Sequence, residues 1–235
     1  MRPFHPAYIF EVLPQLFPYI GVTIAVTFGT VLGGGLIGLL LAAAKIKRGR
    51  IAKILVNTYV YLTRCIPSIV MLFIVYYGLP ELLMVFGIDI NNVHKAFFVI
   101  TTFSILFAAN MSEVFRSAYE AVDKGQREAA ISIGMSEFQA FRRILLPQCT
   151  VYAIPNFANA LVNLIKEGSL AYTIGLIDIM GKGQLIIGLN MGSYSLETYL
   201  SLFLLYWILT IISEKSLKLL EKRLLQGKKI LHTAG

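Results

Sequence analysis

Four ionisable side chains stand where the surrounding sequence is otherwise apolar: Arg64, Glu113, Lys166 and Glu167, with Asp178 a fifth further on. A charge inside a membrane span costs about 2.5 to 3.5 kcal/mol near the midplane, so it normally faces a partner or a watery cavity. Both signs are present here. They fit either an internal ion pair or a path that complements a solute carrying both charges, and Lys166 could instead reach the interface on its long stem. Bond-making chemistry has no such support. The chain has no Ser-His-Asp set, no H-E-x-x-H and no G-x-S-x-G, and no G-x-x-x-x-G-K-[ST] loop to cradle ATP phosphates. His5, His94 and His232 are scattered, while Cys65 and Cys149 lie far apart without ligand spacing, as buried apolar residues rather than a disulfide or metal site. The expectation is a chain with no catalytic residue, metal or cofactor of its own.

The elements that must position these charges are membrane spans. With 57% hydrophobic and 14% charged residues and a mean hydropathy of +0.71, the chain is unsuited to a water-facing surface. A bilayer core of roughly 30 Å needs about 20 helical residues, and runs of about that length fall near 20–44, 54–79, 96–115, 146–166 and 196–213. Pro147 suits a first helical turn, and Pro155 predicts a kink. Basic residues favour the cytoplasmic side. Of 21 Lys and Arg, sixteen follow spans one, three and five: Lys45, Lys47, Arg48, Arg50 and Lys53; Arg116, Lys124, Arg127, Arg142 and Arg143; and six from Lys215 to Lys229. Five spans therefore put the amino terminus outside and the tail 214–235 inside. The net charge of +8 is explained by this topology and by anionic lipid, not by nucleic acid. The first apolar run is too long for the core of a signal peptide and reads as an uncleaved anchor.

Between spans three and four lies a polar loop, 123–145. Gly125-Gln126 marks a turn, Glu128 is expected in the first turn of a short helix where the dipole favours its charge, and Gly134 is the usual left-handed stop. Ser136 with Gln139 offers a capping box for a second helix. Ala129, Ala130, Ile133 and Met135 are small or apolar where solvent is expected, which marks a partner surface or a loop lying on lipid. In span one, Gly29, Gly33, Gly34 and Gly38 form small-xxx-small steps for close helix packing.

Glu128, Ala129, Ala130, Gly134, Ile144, Leu146 and Pro147 fill the EAA pattern, and the loop resembles that of the membrane subunits of ATP-binding-cassette importers. In that family it forms a cytoplasmic helix-turn-helix, the coupling helix, which docks on the ATP-hydrolysing subunit. Further matches are similar to the polar amino-acid branch. They are Tyr59-Val-Tyr-Leu-Thr-Arg-Cys-Ile-Pro67, Tyr76-Tyr-Gly-Leu-Pro80, Ala109-Asn-Met-Ser-Glu-Val-Phe-Arg116 and Leu164-Ile-Lys-Glu-Gly-Ser-Leu170. Cys65 and Ile66 replace the family's Gly and Thr, Met71 its Gln, and Glu167-Gly168 its Asp-Thr.

The resemblance implies one all-α domain over 1–235, a polytopic permease of about five spans with the MetI-like fold of type I importers. It implies a bacterial cytoplasmic membrane and a two-fold pairing with itself or a close relative. ATPase subunits carrying ATP and Mg would lie beneath, and an extracytoplasmic solute-binding protein above. Coupling falls to Glu128, Ala129, Ala130, Ile133, Gly134 and Met135. Arg64 would receive an amino acid's carboxylate and Glu113 or Glu167 its ammonium, with Lys166 and Ser169 on the same path and Ser169–Met180 an outer gate. The Glu-Gly-Ser-Leu-Ala-Tyr-Thr-Ile-Gly run and Asp178-Ile-Met-Gly most resemble cystine permeases. The rival is a secondary carrier or channel driven by an ion gradient. The missing inverted repeat argues against it.

Overall fold

The computed structural model describes residues 4–47 and 49–232; Arg2, Arg48 and the tail beyond 232 lie outside them. All regular elements among the described residues are helical. Helix α1 (Ala7–Leu16), a tight turn at Phe17–Tyr19 and α2 (Ile20–Lys47) form one apolar stretch from Ala7 to Ile46. The first helical element thus begins well before the expected position 20. Pro14 is accommodated inside α1, and Pro18 falls in the 3-10 turn, where a missing N–H costs little.

The second run is not one rod. Helix α3 (Arg50–Cys65) and the helical stretch Ser68–Met84 meet at 106°. That stretch comprises α4 (Ser68–Phe73), a π segment at Ile74–Gly78 and α5 (Leu79–Met84). Pro67 is the cause: proline disfavours helical backbone at the preceding residue, and Ile66 is extended at φ −92°, ψ 126°.

Helix α6 (Lys95–Glu120) is the hub. Within its most apolar stretch 61% of residues are buried, against 22% and 28% for the first and last spans, so protein rather than lipid surrounds it. Phe98, Phe103, Phe107 and Met111 anchor the main core, which takes in Leu72 of α4 and Ala160 and Leu164 of α9 (Leu146–Gly168).

Helices α7 (Lys124–Ser132) and α8 (Glu137–Ala140) form the polar loop. Pro147 falls in the first turn of α9 as expected, although helical backbone is continuous from Glu137 to Ile174. The π segment Phe141–Leu145 contains Arg143, whose carbonyl a proline at 147 would strike, and the wider turn relieves that clash. Pro155 likewise lies inside α9, which continues to Gly168. A 3-10 turn (Ser169–Ile174), α10 (Ile179–Leu189) and α11 (Ser195–His232) complete the chain. Among the described residues three helices are long and apolar enough to cross a membrane, or up to five if each bent pair is one span, in line with about five spans.

A second core joins Val12 and Leu16 of α1 to Ile179, Ile186, Leu202 and Leu205. Helix α1 is clasped there by polar bonds as well. The His5 N–H donates to Glu197 (2.8 Å), Ser201 Oγ to the Ile9 carbonyl (3.1 Å), and Tyr8 stacks on Tyr194 at 4.1 Å.

The small-residue steps of α2 face α6 of the same chain. A Cβ at Gly34 would lie 2.8 Å from the Ser104 carbonyl oxygen, and one at Gly38 2.6 Å from Met111 Cβ. The opposite face exposes Ile24, Phe28, Leu32 and Leu36 at helical spacing, as a lipid-facing stripe does. Gly38→Ala is expected to destabilise the protein by about 1 to 3 kcal/mol through overpacking. Gly35→Ala, with nothing within 4 Å of its added carbon, is expected to be neutral or stabilising. Thermal unfolding of the detergent-solubilised variants checks this, and equal melting of the two would remove the close approach.

Candidate functional site

Helix α7 starts four residues before Glu128, because the Asp123 carboxylate accepts the Gly125 N–H at 2.7 Å and caps it. Glu128 therefore sits in the second turn, not the first. The Asp-x-Gly spacing is the sequence signal for this start, since Asp is a preferred N-cap. At the far end, the Gly134 N–H bonds the Ile131 carbonyl (2.9 Å) and the Met135 N–H the Ala130 carbonyl (3.1 Å). This is a Schellman ending, with Gly134 at φ +89°. The Ser136–Gln139 capping box forms as expected.

The two helices are tied by Arg127, whose Nε donates to Glu137 at 2.9 Å while its NH2 group bonds the second carboxylate oxygen. Bonding to Glu137 raises the guanidinium further above its ordinary value. Nothing in the sequence pairs residues ten apart across a turn. Ala130 and Ala140 face inward at 4% and 0% exposure. Glu128 and Ala129 are exposed and Met135 is half-buried. The exposed apolar surface is carried by Ile133 and, beyond the expected set, Phe138, at 75% and 69% exposure. Behind the loop an apolar groove of about 1000 Å³ separates it from α2, lined by Leu39, Ile46, Phe115, Phe141 and Phe157 among others.

The charges of the expected solute path fall into two groups. Glu113 is committed: Lys45, only 6% exposed, bonds its Oε1, and Arg116 bonds its Oε2 at 2.8 Å while also reaching Glu120. This chain of alternating charge closes the α2–α6 pair next to the loop. Lys45 is thus a buried ion-pair partner rather than a free loop cation, a long-range pairing that local sequence does not encode. The other group gathers around the Pro67 bend. Arg64 is exposed in the last turn of α3, and Ser68 Oγ, just past the bend, donates to Glu167 at 3.1 Å. Ser169 Oγ donates to the Lys166 carbonyl at 2.6 Å, and both Lys166 and Glu167 are exposed. Among the described residues no ion pair joins Arg64, Lys166 or Glu167 to one another, and no His/Cys/Asp/Glu group could hold a metal.

Residues 34–226 match the family model described as "Binding-protein-dependent transport system inner membrane component". The chain belongs to this family. It is accordingly a multi-pass transport component of the membrane, not an enzyme. It is 38% identical to the L-cystine transport system permease protein TcyL of Bacillus subtilis, over 91% of this chain and 89% of that one. It is 32% identical to the histidine/lysine/arginine/ornithine transport system permease protein HisQ of Salmonella typhimurium, over 88% and 92%. A crystal structure of an amino acid ABC transporter with histidines superposes with a TM-score of 0.79 at 26% identity, covering 94% of this chain and 100% of that chain. The inward-facing MetNI methionine ABC transporter shares the fold, with a TM-score of 0.66 at 17% identity.

The turn of the helix-turn-helix depends on the left-handed backbone of Gly134, which costs a side chain about 1 to 2 kcal/mol. Gly134→Ala is expected to speed amide exchange across α7 by about 5- to 30-fold, and Gly134→Asn by less, in hydrogen-exchange mass spectrometry. Exchange in the alanine variant as slow as in the parent would sink this account of the turn.

Proposed function

We propose that this chain is the membrane-spanning permease subunit of an ATP-driven importer for a polar L-amino acid, with cystine the narrowest reading. The observation that carries it is the helix-turn-helix 123–145, which presents Ile133 and Phe138 to solvent on a turn braced by Gly134 and the Arg127–Glu137 tie. Exposed apolar side chains on a rigid charged loop are a docking surface. The partner in this reading is an ATPase subunit, which engages Glu128, Ala129, Ala130, Ile133, Gly134 and Met135. A second permease, identical or closely related, completes a two-fold pair, and an extracytoplasmic binding protein delivers cargo. The amino terminus lies outside and the carboxyl terminus in the cytoplasm, as the basic residues favour.

In operation, nucleotide closes the ATPase pair, the loops move with it, and the spans change from inward-open to outward-open. This is a rigid-body change between two packings biased by differential binding. Along the path Arg64 takes the carboxylate and Glu167 the ammonium, with Lys166 and Ser169 beside them. Glu167 is preferred to Glu113 because both Glu113 oxygens are already engaged. Ser169–Met180 serves as the outer gate. The 38% identity to TcyL, a cystine permease by name, supports the narrow substrate.

The test is uptake of radiolabelled L-cystine and the common L-amino acids into proteoliposomes holding the permease, its ATPase and its binding protein. ATP-dependent, vanadate-sensitive uptake is expected. Ile133→Asp is expected to lower it at least tenfold, about 1.4 kcal/mol of lost docking, with the melting temperature of the permease unchanged. Uptake driven by an ion gradient without ATP would overturn the reading.

A further inference from the structure

Glu167 stands where local physics does not favour it. It is the residue before last of α9, at the helix end whose free carbonyls make a negative pole, and an anion there is destabilised. Lys166 beside it suits that pole; the carboxylate does not. Among the described residues no cation offsets the charge, and the side-chain bond that the carboxylate accepts comes from the Ser68 hydroxyl, to Oε2 at 3.1 Å. A local rule broken without compensation marks function rather than stability.

Ser68 Oγ has one O–H to give. A carboxylate offers two oxygens and about four lone-pair directions, so this bond orients Glu167 and leaves Oε1 free of side-chain partners among the described residues. Glu113 is the contrast, with Lys45 on one oxygen and Arg116 on the other. Ser68 is also the first residue of α4, directly after Pro67, while Arg64 precedes that proline in the last turn of α3. The two stretches meet at 106°. The hydroxyl thus joins the end of α9 to one arm of a bend whose other arm carries Arg64.

From these observations we infer that Ser68 is a positioning residue of the solute path, holding the Glu167 carboxylate in one orientation for the α-ammonium of a passing amino acid. The inference rests on the amino-acid reading above, in which the binding protein delivers the cargo and Glu167 meets its ammonium. Without the hydroxyl the carboxylate is free to turn among its rotamers. A contact that is already oriented loses less freedom when the solute reaches it. Because Ser68 adjoins Pro67, the bend also sets where Glu167 is held relative to Arg64, so the two charges of an amino acid are read from the two arms of one joint.

The test is ATP-driven uptake by the full transporter in proteoliposomes, with its binding protein loaded and varied in concentration. Ser68→Ala is expected to lower the maximal rate about tenfold or more, the scale of one hydrogen bond to a charged group, and to leave unchanged the concentration of loaded binding protein that gives half of that rate. Ser68→Thr, which keeps the hydroxyl, is expected to recover most of the rate. Glu167→Ala is slow too, and adding Ser68→Ala to it is expected to change the rate by no more than about twofold, since the two side chains act as a unit. A Ser68→Ala variant as fast as its parent, or one that slows the Glu167→Ala background by the same factor as it slows the parent, overturns the positioning role and leaves the permease reading standing. A parent complex that takes up none of the L-amino acids overturns both.

Discussion

The architecture rests on the close approach of α2 to α6. At Gly33, Gly34 and Gly38 no side chain fits between the two helices, so the backbone of one lies against Ser104, Phe107 and Met111 of the other. In lipid no hydrophobic effect drives helices together, and tight van der Waals contact is what remains to hold them. Helix α6 then presents its other sides to α3, α4 and α9. Tyr59 of α3 makes the same point, its hydroxyl donating to the Ile105 carbonyl at 2.6 Å.

Electrostatics closes one end of this pair. Lys45 is almost wholly buried, and an unpaired ammonium there would be costly, whereas its bond to Glu113 offsets the loss of water. Arg116 shares Glu113 and reaches Glu120 at the last turn of α6, so charge alternates in sign along the row. Three residues later Asp123 caps α7. A force on α7 therefore reaches α6 through a short connection, and reaches α2 through an ion pair and a glycine seam.

Much of the loop was legible in the sequence because its determinants are local. Gly134 as a left-handed stop and the Ser136–Gln139 box need only neighbours three to five residues away, and both occur. The glycine steps of α2 announced a packing face but not its partner, which is a tertiary fact. Hydropathy found the apolar runs yet was blind to the 106° bend at Pro67, since the residues on both sides are equally apolar. The placement of Glu128 failed because a cap at Asp123 outweighed the turn signal of Gly125-Gln126. Lys45–Glu113 and Arg127–Glu137 join residues that no local pattern relates. The branch-specific motifs, in contrast, pointed to a family that the matched residues 34–226 support.

The prolines show where local preference prevails and where packing overrides it. Pro80 and Pro147 each follow a leucine and a five-residue π segment, and the carbonyls they would strike, of Tyr76 and Arg143, lie inside those wider turns. The helix survives both. Pro155 survives between the buried Ile154 and Ala160, which fix α9 on either side. At Pro67 the flanking Arg64, Cys65 and Pro67 itself are exposed, few buried side chains hold the joint, and the extended preference of Ile66 bends it. Unrestrained joints are where a protein changes shape at least cost. This one lies beside Arg64, Ser68 and Glu167.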